Sequence, residues 1–129
     1  MMDHNAVVQI CQDALDNPFK QGTNDCNVVV LKLVDLLTGS NWYSQCRFKT
    51  LKGGLKQLKE LGVETTFELI QDRLEAVTHP IDGDIWLDPA DAHTMCIVIS
   101  GRLLGVNTEH TEFKLVPKRK DGTYYRIRK

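Results

Sequence analysis

The sequence has no Cys-x-x-Cys pair, no cysteine or histidine spacing of the metal-binding kind, and no clear excess of charge of either sign. Its four cysteines, Cys11, Cys26, Cys46 and Cys96, are scattered along 129 residues. They read as free thiols rather than as a disulfide framework or zinc ligands, and no metal site and no cofactor is expected. A formal net charge of −1 with 26% charged residues gives no global attraction to nucleic acid or to an anionic membrane. The basic, aromatic-interleaved stretch from Lys118 to Lys129 is then a solvated strand face, and no nucleic-acid partner is expected. No apolar run approaches membrane-spanning length, so no membrane span is expected. The opening stretch, MMDHNAVVQICQDALD, lacks a basic leader with an apolar core. A product made in the cytoplasm without a signal peptide is the expectation. Repeats, linkers and low-complexity segments are likewise missing, and the length suits one domain, 1–129, with a sizeable core at 42% hydrophobic residues.

What is present centres on residues 18–39, where a polar, glycine-containing loop gives way to an almost continuously apolar segment. From Val28 to Leu37 only Lys32 and Asp35 interrupt the run, and Thr38-Gly39 ends it. The run is too long for a strand and predicts a central buried helix. Either Asn24 or Asp25 suits its N-cap, because a short side-chain oxygen can accept from the free N–H groups of the first turn. Cys26 therefore falls in that turn, where the helix dipole favours thiolate over thiol. The competing reading makes Cys26 one more small buried hydrophobe.

Around this helix, Val7, Ile10, Cys11, Ala14 and Leu15 fit a short amphipathic helix that begins after residues 3–5 and stops at Asp16-Asn17-Pro18. The stretch from Ser40 to Thr50 reads as loop. Leu51, Leu55, Leu58 and Leu61, with lysines between them and Gly62 beyond, predict a second packing helix. Thr65 and Glu68 form a capping-box pattern for a helix reaching about Leu74. After His79-Pro80 the pattern turns to strands, at Ile85–Leu87, Met95–Ile99, Leu103–Asn107, Glu112–Val116 and Thr123–Ile127. Helices followed by an antiparallel meander make an α+β domain.

A cysteine nucleophile needs a base and a polar group that orients the base. Of His4, His79, His93 and His110, His93 stands apart because it enters the strand Met95–Ile99 from a loop. Pro18-Phe19, Gly22, Asp25-Cys26 with its apolar helix, Gly83-Asp84-Ile85-Trp86, and His93 with a strand ending at Gly101 together resemble the NlpC-type peptidoglycan peptidases of the papain-like superfamily. The chain is most similar to a phage tail-associated branch, through the Thr-Gly helix end, the Trp42–Thr50 stretch and the closing Tyr125-Arg126-Ile127. The resemblance covers residues 17–129.

It implies a papain-like single domain whose N-terminal helices pack on an antiparallel sheet. Cys26 would be the nucleophile, His93 the general base and Asn107 the third catalytic residue; Asp84 would be structural. Phe19 and Asp25 would lie on the substrate side of the cleft. The implied function is a cysteine peptidase or amidase acting on peptidoglycan amide bonds without a cofactor, with other phage tail proteins as partners and the virion tail as its place of delivery. Two departures, Asn27-Val28 where the peptidases carry Ser-Gly and Met95 where they carry a small residue, favour the alternative: a papain-fold structural or assembly protein of a tail that performs no catalysis.

Overall fold

A computed structural model of the chain describes residues 4–46 and 48–128. Helix α1 spans His4–Asp16 and buries Val7, Cys11 and Ala14; the residues expected just before it, up to Asp3, lie outside the described part. Helix α2 runs Cys26–Thr38 and buries six of its thirteen residues, among them the valines at 28, 29, 30 and 34. Valine favours strands on propensity alone, because β-branching restricts χ1 in a helix. Two end signals decide otherwise. Asp25 caps the N-terminus, and Gly39, at φ 76°, ends the helix by donating its N–H to Asp35 O. The two charged interruptions also have partners. Lys32 sits 4.7 Å from the Tyr43 ring centroid, and Asp35 accepts from the N–H groups of Trp42 and Tyr43 at 2.9 Å each. They hold the 40–46 segment, with its 3₁₀ turn at Tyr43–Gln45, against α2.

Helix α3 (Leu51–Glu60) and the short α4 (Thr66–Ile70) follow, both capped by threonine hydroxyls, those of Thr50 and Thr65. Six strands, β1 (Leu74–Val77), β2 (Ile85–Leu87), β3 (Met95–Ile99), β4 (Arg102–Val106), β5 (Phe113–Pro117) and β6 (Thr123–Ile127), make one antiparallel sheet in the order β1-β6-β2-β3-β4-β5. The domain is therefore α+β, as expected.

In the order of elements, two details differ from the sequence reading. The capping-box helix ends at Ile70, gives a 3₁₀ turn at Gln71–Arg73, and the chain then enters β1, which the sequence pattern did not reveal. The sheet is also not a plain meander, because β6 inserts between β1 and β2.

Strand β3 is buried along its whole length, and the cause is that both sheet faces are covered. Ile97 and Ile99, with Ile85 and Leu104 from neighbouring strands, meet α1 and α2 in the main core. On the other face Trp86, Cys96, Val98 and Leu103 form a second cluster with Val116 and Tyr124. Residues 118–122 close over it. Trp86 Nε1 donates to Asp121 O at 2.8 Å, and the Arg119 guanidinium lies 5.3 Å from the indole centroid. Each fully buried Leu, Ile or Val in these clusters contributes about 1.5–3 kcal/mol through removal of apolar surface from water.

The leucines at 51–61, expected to make a second packing helix, leave most of that helix's apolar face unburied. Gly54 is its one buried residue, and Leu51, Leu55 and Leu61 remain 63%, 43% and 41% exposed. They face a cavity.

Candidate active site

The loop before α2 is held by its own polar residues. Asn24 does not cap the helix; its Nδ2 donates back to Ala14 O, Asn17 O and Pro18 O at 3.0–3.2 Å and ties the loop to the end of α1. Asp25 is the cap. Its Oδ1 accepts from Val28 N and its Oδ2 from Gly22 N, both at 2.8 Å. Gly22 takes φ 86°, and a Cβ there would lie 1.8 Å from Phe48 O, so glycine is required at this position for two independent reasons.

Cys26 is consequently the first residue of α2, and its sulfur meets the backbone N–H of Met95 at the start of β3. Together with His93 it lines a cavity of about 480 Å³, a size typical of small-molecule sites. The sequence led to expect a thiol favoured as thiolate by the helix terminus. In the resting arrangement burial, and after it the Asp25 carboxylate, push the Cys26 thiol up to about 11, against the N–H groups of Met95, Asn27 and Cys26 itself. Desolvation outweighs the favourable end of the helix. Burial likewise raises the Asp25 carboxyl above its usual range, opposed by the N–H groups of Gly22, Val28 and Asn27 and by Lys32.

Because Asp25 both caps α2 and raises the thiol, Asp25→Asn separates the two effects. The Cys26 alkylation profile moves to lower pH once the carboxylate charge is gone. Stability falls by about 1 kcal/mol, since one amide N–H now faces a backbone donor. Thiol-specific alkylation against pH and urea unfolding measure the two.

His93 is exposed and sits in a tight loop held by Asp91, whose carboxylate accepts from His93 N at 3.0 Å and from Thr94 Oγ1 at 2.9 Å. These two bonds, and then the nearby His93, keep the Asp91 carboxyl low. Among the described residues no hydrogen bond joins the His93 ring to Cys26. Phe19 also lines the cavity, with its N–H on Thr111 O at 2.9 Å.

Asn107 is elsewhere. It follows β4, accepts from Thr111 N at 2.8 Å and Glu112 N at 3.2 Å, and donates to Thr111 Oγ1 at 2.7 Å. Its amide orders a turn and does not line the cavity. That turn instead brings His110 to the cavity, in a left-handed conformation (φ 56°) and edge-on to Phe19 at 5.8 Å between ring centroids. Sequence alone had named His110 only as one of four histidines; the nearby Asn107 and Thr111, both turn-forming side chains, were the available signal.

Asn27, next to Cys26 in the chain, carries a different mark: its Oδ1 is buried with no hydrogen-bond partner among the described residues. All four cysteines are unpaired. Among the described residues no cluster of three or more metal-ligating side chains is present, and no helix is long and apolar enough to cross a membrane.

No curated protein and no solved structure matches this chain. One family does, over residues 2–127: the chain belongs to the family described as Domain of unknown function (DUF6950).

Proposed function

We propose that the chain is a papain-like, NlpC-type cysteine hydrolase that cleaves an amide bond, with Cys26 as nucleophile and His93 as general base, and that it serves a phage tail. The observation that carries this reading is that Cys26, at the N-terminus of a buried helix, and His93, at the entry to the adjoining strand, line one cavity.

In the reaction the His93 ring turns onto Cys26 Sγ and takes its proton, which opposes the rise that burial imposes on the thiol. The thiolate attacks the amide carbonyl carbon. Backbone N–H groups at the start of α2, that of Cys26 among them, meet the oxyanion. His93 returns its proton to the leaving amine as the C–N bond breaks, and water then hydrolyses the thioester to a carboxylic acid and the free thiol. Asp91, whose carboxylate is held beside His93, stabilises the imidazolium electrostatically. The amides that the resemblance implies are those of peptidoglycan stem peptides.

Incubation with purified peptidoglycan fragments, followed by chromatography and mass spectrometry, tests the reading. Wild type is expected to release new amine termini and Cys26→Ala none. A second reading, a tail structural or assembly protein that performs no catalysis, is favoured by the protonated thiol and by the lack of a Cys26–His93 hydrogen bond among the described residues. Identical fragment patterns for both proteins would support it.

A further inference from the structure

Helix α3 and its C-cap residue place Leu51, Leu55, Leu58 and Leu61 along one stripe, and all four line the cavity that holds Cys26. Three of them are more than 40% exposed, which is unusual for a row of leucines on a single helix face. Trp42 and Phe48 extend the same wall.

This wall offers a ligand little to hydrogen-bond with. The interior backbone of α3 is satisfied within the helix, the Gln57 amide donates to Gln45 O, and Gln45 Nε2 donates to Asn41. An extended peptide laid there would bury N–H and C=O groups without partners, at substantial cost. An aliphatic chain has no such groups.

A polar part of the rim has other chemistry. It carries Asp88, Asp91, His93 and Thr94. Arg119, the one Lys or Arg among the described residues lining the cavity, is paired with Asp121 at 2.9 Å and stacked on Trp86. The two aspartates therefore disfavour an anionic group and favour a neutral or cationic one. Asn27 also lines the cavity, and its buried Oδ1 is an acceptor for which no donor is present among the described residues; an amide N–H would provide one.

We infer that the scissile amide joins an aliphatic acyl chain, seated along the leucines of α3, to a polar, neutral or cationic amine at the Asp88 and Asp91 rim. This rests on Cys26 being the nucleophile, and it adds acylated amines to the stem-peptide amides that the resemblance implies. A bond forms between Cys26 Sγ and the acyl carbon, and the C–N bond breaks. The amine leaves with the proton carried by His93, and water releases the aliphatic acid and restores the thiol.

The test compares 1,4-diaminobutane acylated on one nitrogen with an acetyl or an octanoyl group. Calorimetric titration of Cys26→Ala should show the octanoyl amide binding roughly 100-fold more tightly than the acetyl amide. Adding Leu51→Gln and Leu55→Gln, at exposed positions that spare the fold, should cut that preference by about tenfold, with melting curves confirming that the protein is folded. N-octanoylglycine, which places a carboxylate at the acidic rim, should bind more weakly than the diaminobutane amide. In wild type, mass spectrometry should detect free 1,4-diaminobutane, released faster from the octanoyl amide. Equal affinities for the acetyl and octanoyl amides, or equal release rates, would overturn the acyl-chain inference even with the hydrolase reading intact. Chain-dependent binding without any diamine release from wild type would uphold the acyl site and overturn the inferred cleavage of acyl amides, while release of new amine termini from peptidoglycan fragments separately decides the hydrolase reading. Preference for N-octanoylglycine would overturn the assignment of the amine half.

Discussion

Asp84→Ala is expected to destabilise the protein by about 3 kcal/mol, enough to leave a marginal domain largely unfolded in mild urea. Asp84 is 2% exposed. Its carboxylate accepts from Ile81 N at 2.8 Å and from Arg126 Nε and Nη2 at 3.1 and 3.0 Å. The backbone of the same residue takes the N–H of Val98 at 2.8 Å and gives its own to Ile81 O at 3.0 Å. One side chain thus joins the entry to β2, the loop before it and β6, the strand inserted between β1 and β2. Alanine would take the shared acceptor from the part-buried Ile81 N–H bond and leave the guanidinium without its carboxylate, and unmade bonds of this kind cost more than the net gain from making them. Arg126, whose side chain is 41% exposed, can turn to water, so Arg126→Ala should cost less than Asp84→Ala. Urea unfolding of both variants checks the order; a loss under about 1 kcal/mol for Asp84→Ala would show that the cluster does not anchor β6.

The structural role of Asp84 was implied by the resemblance, whereas the signals legible in the residues themselves are local. Gly83-Asp84 before an apolar triplet is a turn-to-strand signal, and Asp25-Cys26 before a valine run is a cap signal. Both depend on residues adjacent in the chain. Gly39 is legible for the same cause, since a glycine after the last apolar residue ends a helix by its left-handed conformation.

The features that were not legible depend on what is distant. Strand β1 is short, and Glu75 and Ala76 are exposed. Only its pairing with β6, such as Leu74 with Ile127, makes it a strand. The leucines of α3 have the period of a packing helix, but periodicity cannot distinguish a face turned to a core from one turned to a cavity. The thiol of Cys26 shows the same limit. Its place at a helix terminus could be read from sequence, whereas the burial that reverses the effect of that terminus comes from contact with β3. Asn107 illustrates the converse: its side chain satisfies its own turn, as asparagine commonly does, and the residue that reaches the cavity is His110, three positions on.

The pairing of Cys26 with His93 proposed above carries the largest expected functional effect. A thiol raised to about 11 is thiolate in roughly one molecule in ten thousand at pH 7. Only a base that takes the proton in a fraction of molecules can make it a useful nucleophile. His93 is the candidate closest in sequence to the strand start, Met95, that meets the sulfur, and its exposed position leaves the ring free to turn.

The direct measurement is the rate of iodoacetamide alkylation at Cys26, quantified on its own peptide from pH 5 to 11, in wild type and His93→Ala. Cys46, raised to about 11, and Cys11 and Cys96, raised to about 12, serve as internal references in the same digest. Wild-type Cys26 is expected to show an additional reactive limb near neutral pH, and His93→Ala to remove it, slowing the reaction at pH 7 by about 100-fold and leaving a single rise toward pH 11. Superimposable profiles for the two proteins, each with one rise toward pH 11, would contradict the pairing of Cys26 with His93 and leave the non-catalytic tail protein as the reading to pursue.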